Sequence, residues 1–200
     1  MTETSTLTSA VRAASDLAAG PLRAVTPDQL TAPTPCPDYD VRALVDHLAW
    51  GAVLSQRAAT RTELQHDWSS ATPAPFLDGV PVEQWAAAVP AELDAAADAW
   101  ADPAAWEGDT VMAATPMPAA VVGPMMLAEF VLHGWDLARA IDRPAPFPQD
   151  LAEGELAFSR DLLGRIPEGR HPFGPSQPVD DDAPAIDRLA ALLGRDPRRS

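Results

Sequence analysis

The sequence predicts an all-α protein, a small helical bundle, and three observations carry that prediction. Hydrophobic residues make up 46% of the 200-residue chain but aromatic residues only 6%. Alanine therefore supplies much of the apolar content, and alanine forms helices most readily because it gives up no side-chain freedom there. Several segments repeat their apolar residues at spacings of three and four, the helical period. No run of alternating apolar residues is long enough to build a sheet. The length suits one domain spanning residues 1–200, with 145–200 as a C-terminal helical extension.

The first helix is expected from about Ser5 to Ala19, with Leu7, Val11, Ala14 and Leu17 on one stripe and Gly20-Pro21 as its stop signal. A proline-punctuated connector, Thr26 to Asp40, follows. Asp40 is a natural N-cap for a second helix from Val41 to about Arg61, whose stripe is Leu44, Val45, Leu48, Gly51 and Leu54. Thr62 to Pro81 reads as a loop. A third helix from Val82 to Trp100 contains Pro90, which should kink it or mark its true start. Asp102 to Pro116 reads as extended or irregular. The fourth helix should run from about Pro118 to Ile141, with Gly123-Pro124 as an irregularity and Pro144 beyond its end. Shorter helices are expected from Gln149 to Gly164 and from Pro184 to Leu193. Between them lies a polar, proline-rich excursion, Pro167 to Asp182, whose Asp180-Asp181-Asp182 reads as a solvated turn.

A formal net charge of −15 excludes the basic stripe that gripping a phosphate backbone requires. The single cysteine, Cys36, excludes an intramolecular disulfide and a thiolate metal cluster. Met1 to Ala10 is polar, and no stretch approaches the about 20 apolar residues of a membrane span. No nucleic-acid or membrane partner is expected, and the expected location is the cytoplasm.

Chemistry concentrates at two histidines. His66 and His171 fall in loops and read as surface groups, whereas His47 and His133 sit in apolar, helical contexts. Glu129 precedes His133 by four residues, so both stack on one helix face with Met126, Phe130 and Leu137. His47 shares its face with Leu44, Gly51 and Leu54. Imidazoles and a carboxylate on apolar stripes are costly to bury unless something satisfies them. Two helices can bring these three side chains to one point, and two imidazoles with a carboxylate suit zinc or another borderline divalent metal, leaving a position open. Spacing alone leaves plainer readings open, since a buried histidine is commonly a hydrogen-bonded core residue and a Glu/His pair four apart a local salt bridge. H-E-x-x-H does not occur, and neither the second nor the fourth helix carries the E-x-x-H of di-iron bundles.

Three segments carry a family resemblance. Thr34-Pro-Cys-Pro-Asp-Tyr-Asp-Val-Arg-Ala-Leu-Val-Asp-His47-Leu resembles the first metal motif of the DinB-like superfamily. It is closest to the actinobacterial branch related to the N-terminal domain of mycothiol-dependent maleylpyruvate isomerase. Ala128-Glu129-Phe-Val-Leu-His133-Gly-Trp-Asp-Leu-Ala-Arg139-Ala resembles the second motif of that branch. Asp187-Arg-Leu-Ala-Ala-Leu-Leu-Gly194-Arg-Asp-Pro197 is similar to the tail of its single-domain members. The resemblance implies a four-helix bundle with one long crossover and His47, Glu129 and His133 as a metal triad. It also implies a divalent ion, zinc foremost, with mycothiol as cosubstrate beside an electrophilic small molecule. The isomerase would continue into a further domain near the end of this sequence, and groups supplied there have no counterpart among these residues.

Other residues have two readings each. Cys36, flanked by Pro35 and Pro37, is a reactive thiol or, more simply, a buried apolar anchor. Trp50 and Trp135 line a pocket or pack the core. Asp136 orients a ligand histidine as an acceptor or pairs with Arg139 at the surface. The function expected is metal- and thiol-dependent transfer or isomerisation. A non-catalytic metal-binding or stress-related module and a metal-dependent hydrolase are the alternatives, with a homodimer open as the assembly.

Overall fold

The amphipathic segments fold as helices near their expected bounds. The computed structural model describes residues 3–62, 76–112, 115–143, 147–166 and 173–198. Its helices are α1 (Glu3–Leu22), α2 (Val41–Thr60), α3 (Val82–Ala99), α4 (Ala119–Ala140), α5 (Gln149–Arg165) and α6 (Ala185–Leu192). A hairpin of β1 (Asp109–Met112) and β2 (Thr115–Pro118) lies between α3 and α4. His66, His171 and most of the expected loop after α2 lie outside the described residues. No described helix is long and apolar enough to cross a membrane.

Local chemistry explains most boundaries. The Asp40 side chain accepts the Ala43 N–H at 2.8 Å and starts α2, which Arg61 ends in the left-handed conformation at φ 54°. Gly20-Pro21 does not stop α1: the helix continues to Leu22, because the buried stripe is Val11, Ala14, Ala18 and Leu22 while Leu17 is only partly buried. Burying Leu22 outweighs one weak terminal turn. Pro90 neither starts nor breaks α3, which is one helix across it with Val89, Pro90 and Leu93 buried. Likewise α4 runs through Gly123-Pro124 without interruption.

Asp102 to Pro116 is more regular than expected. A 3₁₀ turn, Pro103–Trp106, leads into the hairpin, where Asp109 pairs with Pro118 and Met112 with Thr115. This small sheet closes the C-terminal end of α2. The Thr110 hydroxyl donates to the Ala58 carbonyl at 2.6 Å, and the Arg61 guanidinium donates to the carbonyls of Ala104, Glu107 and Asp109. Orphan carbonyls and an N–H-rich side chain thus find partners in the intervening segment.

The bundle follows from which helices touch. Each of α1 and α2 packs against both α3 and α4. Consecutive helices α1 and α2 therefore sit diagonally opposite, as do α3 and α4, and the segments joining them cross the bundle. Between α1 and α4 the approach is close: a Cβ at Gly134 would lie 3.0 Å from the Ala18 Cα, so a larger residue there would push the two backbones apart by a few tenths of an ångström. The core also holds a tryptophan pair, Trp100 and Trp106, with ring centroids 4.6 Å apart. Their indole N–H groups donate to the Ser55 hydroxyl and the Trp100 carbonyl.

At the C-terminus α5 and α6 pack on each other and against α4. The Asp180–Asp182 turn is exposed, as its charge predicts. On the inner face of α5, beside Ala152, Leu156 and Ser159, Glu155 is only 5% exposed and its Oε2 has no hydrogen-bond partner among the described residues. Burial pushes its carboxyl up to about 8 from an ordinary 4.5. A raised folded value means the folded chain holds a proton that the unfolded chain releases. The associated stability is complete below about 4.5 and is lost as pH rises through 8. Glu155→Gln should remove this slope. Urea unfolding at pH 5 and pH 8 should show the variant gaining about 1–4 kcal/mol on the wild type between those values. Parallel pH dependence in the two proteins would show that the carboxyl ionises without penalty in the fold.

Candidate metal centre

Helices α2 and α4 are packing neighbours, and the polar residues of their facing stripes meet. His47 comes from the second turn of α2, Glu129 and His133 from successive turns of α4. Nε2 of His47 lies 3.4 Å from Oε2 of Glu129, and Nε2 of His133 lies 3.2 Å from the same oxygen. The two imidazoles meet edge to face with centroids 4.8 Å apart. One ligand atom from each of the three side chains falls within 4.8 Å of the others. The sequence-predicted triad is therefore brought together as a cluster that could coordinate a divalent metal.

The remaining nitrogens fit that role. Nδ1 of His133 is 3.0 Å from Oδ2 of Asp136, and Nδ1 of His47 is 3.2 Å from the Tyr39 hydroxyl. With Nδ1–H donated outward, each ring presents an Nε2 lone pair to the shared point, which is how ligand histidines are usually held. Tyr39 also stacks on His47 at 4.8 Å, and the Trp50 ring lies 5.3 Å from His47 on the next turn of α2. His133 is buried, whereas the Glu129 side chain keeps 32% of its surface exposed. The cluster opens on the carboxylate side.

Electrostatics reflect the crowding. Burial alone would raise the Glu129 carboxyl, but hydrogen bonds from His133 and His47 hold it well below the usual carboxylate range. Burial alone would lower His133, but hydrogen bonds to Asp136 and Glu129 raise it to about 9. Tyr39 is pushed up to about 12, chiefly by burial and also by the neighbouring acidic groups. It remains a neutral hydroxyl at ordinary pH.

Asp136 is fully buried, which overturns its surface reading; its cation is Arg195, with Nη2 at 3.1 Å from Oδ2. Arg139 instead lies over the Trp135 ring and donates to the Pro197 carbonyl. Trp135 is core, as its apolar setting suggested, while Trp50 is half-buried against His47. Cys36 is buried, and burial raises its thiol pKa despite the nearby Arg195 charge, which favours the anchor reading over the reactive one. Tyr39 and Arg195 were missed as site residues. The signals for Tyr39 are its place in the quoted first motif and immediately before the N-cap of the helix that carries His47. Arg195 has no signal beyond its position in the quoted tail.

The fold and this cluster define a class: an all-α bundle with two histidines and one carboxylate converging between facing helices. The chain belongs to the family of the mycothiol maleylpyruvate isomerase N-terminal domain, whose profile matches residues 11–138, a span that contains the whole cluster and Asp136. Two relatives, the uncharacterized proteins Rv0738 and MT0763 of Mycobacterium tuberculosis strains H37Rv and CDC 1551, are each 32% identical over 184 residues. That alignment covers 91% of this chain and 93% of each relative. No solved structure matches the chain.

In the metal-free protein the raised His133 value has a measurable sign. Pairing of its imidazolium with Asp136 and Glu129 contributes stability fully below about 6.5, and this is lost as pH rises through 9. NMR titration of the metal-free protein should place the His133 midpoint well above that of an exposed histidine. A midpoint near 6.5 would mean that Asp136 and Glu129 do not hold the imidazolium.

Proposed function

We propose that the protein is a divalent-metal-dependent thiol enzyme, a transferase or isomerase. It would hold zinc through His47, Glu129 and His133 and use a low-molecular-weight thiol of the mycothiol type against an electrophilic small molecule. The observation that carries this reading is the convergence of three ligand atoms whose outer nitrogens already have partners. The family membership supports the choice of thiol. A divalent ion bound there lowers the pKa of a thiol that shares its coordination, supplying a thiolate at neutral pH.

The chain's own residues would prepare the site. Tyr39 and Asp136 fix the two rings with Nε2 inward, at 3.2 and 3.0 Å from the outer nitrogens. Glu129, the partly exposed member, faces the side from which a small thiol would enter. Trp50 and Tyr39 flank His47 with apolar ring faces that would exclude water from one side of the site. Cys36 stays protonated and out of the chemistry. Hydrolysis by bound water would need a carboxylate free to act as base. Asp136 is committed to His133 and Arg195, which places that reading behind thiol chemistry.

Two measurements test the proposal. Protein purified without chelator should carry about one divalent ion per chain, since one triad exists. The His47→Ala/His133→Ala double variant should lose it, and His66→Ala and His171→Ala should retain it. Full metal content in the double variant would sink the ligand assignment.

The second uses cobalt in a Cys36→Ser background, so that the native thiol cannot mimic an added one. A sulfur-to-cobalt band in the near ultraviolet should appear and saturate as mycothiol is added. A cobalt spectrum indifferent to mycothiol and to simpler thiols would overturn direct thiol activation and favour a non-catalytic metal-binding role.

A further inference from the structure

The segment after α6 reaches the metal cluster from outside the part of the chain that the family profile matches. Arg195 leaves the end of α6 and is itself buried, 5% exposed. Its Nη2 lies 3.1 Å from Oδ2 of Asp136, its Nε 3.4 Å from both carboxylate oxygens, and its Nη1 donates to the Leu193 carbonyl at 2.8 Å. Asp136 Oδ2 is the same atom that accepts from His133 Nδ1. One carboxylate oxygen is thus shared between a metal-ligand candidate and a guanidinium from the C-terminal tail.

Each member needs the next. A carboxylate with no exposed surface is costly unless a cation and hydrogen bonds compensate it, and Arg195 supplies both in a planar fork. Asp136, so fixed, can hold His133 in the tautomer that turns Nε2 towards Glu129 and His47.

The tail itself is pinned. The Arg195 N–H donates to the Ala190 carbonyl at 2.9 Å. Gly194 sits at φ +89°, where a Cβ would lie 3.0 Å from the Gly174 Cα, so only glycine permits this turn. The Pro197 carbonyl accepts from Arg139 on α4 at 2.5 Å. The contacts that close the four-helix bundle itself are made among α1–α4.

We propose that Arg195 is a positioning residue of the metal site: acting through Asp136, it sets the orientation of His133, so that the C-terminal tail forms part of the site. The inference rests on the assignment of His133 as a ligand. Removing the guanidinium should leave Asp136 free to turn away and His133 free to rotate. Losses of about 10- to 100-fold in metal affinity are typical when a ligand's own hydrogen-bond partner, here Asp136, is lost, and releasing Asp136 by removing Arg195 should cost up to that much.

The test compares Arg195→Gln, Arg195→Lys and Arg188→Ala in the full chain. Arg188 ties α6 to Glu153 on α5 and makes no contact with Asp136 in the hydrogen-bond pattern, so it controls for mere loosening of the tail. Zinc dissociation constants come from chelator competition, cobalt spectra report coordination geometry, and melting of the metal-free proteins reports stability. Arg195→Gln should bind zinc more weakly, by up to about 10- to 100-fold, and shift the cobalt visible bands. Arg195→Lys should recover most of the affinity, and Arg188→Ala should keep wild-type affinity and spectrum even if it melts lower.

If Arg195→Gln does not fold, the Asp136→Asn/Arg195→Gln double variant removes the unpaired buried charge. It should fold yet still bind zinc at least several-fold more weakly. Wild-type affinity and spectrum in a folded Arg195→Gln protein, or in the double variant, would overturn the proposal. An equal loss in Arg188→Ala would do so too. Wild-type protein that takes up no zinc would overturn the ligand assignment along with it, which separates the two failures.

Discussion

The interior contact between α2 and α4 carries a constraint that organises the structure around it. Two imidazoles and a carboxylate meet where the facing stripes are otherwise apolar, with a single Glu129 oxygen 3.4 and 3.2 Å from the two Nε2 atoms. Polar groups in such a place must be satisfied from several directions at once. Tyr39 arrives from the connector before α2, Asp136 from the next turn of α4, and Arg195 from the tail. Three chain segments far apart in sequence are therefore held to one point by hydrogen-bonding demand rather than by apolar packing alone.

Apolar packing does the complementary work of fixing helix positions. The approach of α1 to α4 at Ala18 and Gly134 is set next to His133, so the depth of the turn that carries His133 is determined by backbone contact rather than by flexible side chains. At the far end of α2 the hairpin takes over terminal carbonyls and the Arg61 guanidinium. One end of the bundle is thus closed by secondary structure and the other is devoted to polar chemistry.

Much of this was legible in the sequence where signals are local. Asp40 capping α2, the stripe Leu44-Leu48-Leu54 and the i, i+4 pair Glu129-His133 all state their roles within a turn or two, and the family motifs joined His47 to them. Local signals misled where tertiary burial won. Gly20-Pro21 reads as a stop, yet Leu22 is drawn into the core; Pro90 reads as a break, yet α3 packs across it. The hairpin escaped because its strands are four residues each and two prolines sit in β2. Arg195 was invisible for a different reason. It is one of 14 arginines, and its partner lies 59 residues away. No periodicity can encode such a pairing.

The diagonal placement of consecutive helices has a kinetic consequence. In an up-and-down bundle each helix can dock on its sequence neighbour, and short loops close early. Here, within the four-helix bundle, only α2 and α3 are sequence neighbours that dock, and the other contacts that define the bundle join distant segments: Thr8 reaches the Trp100 carbonyl across 92 residues, Arg12 reaches Asp94 across 82, and His47 reaches Glu129 across 82. The entropy of closing such loops must be overcome before any of these contacts is made, which slows folding relative to all-helical chains of simple topology. A nascent chain cannot form its polar centre from a helical hairpin. The centre exists only after α4 has been synthesised and has found α2, so the site emerges late and together with the rest of the bundle.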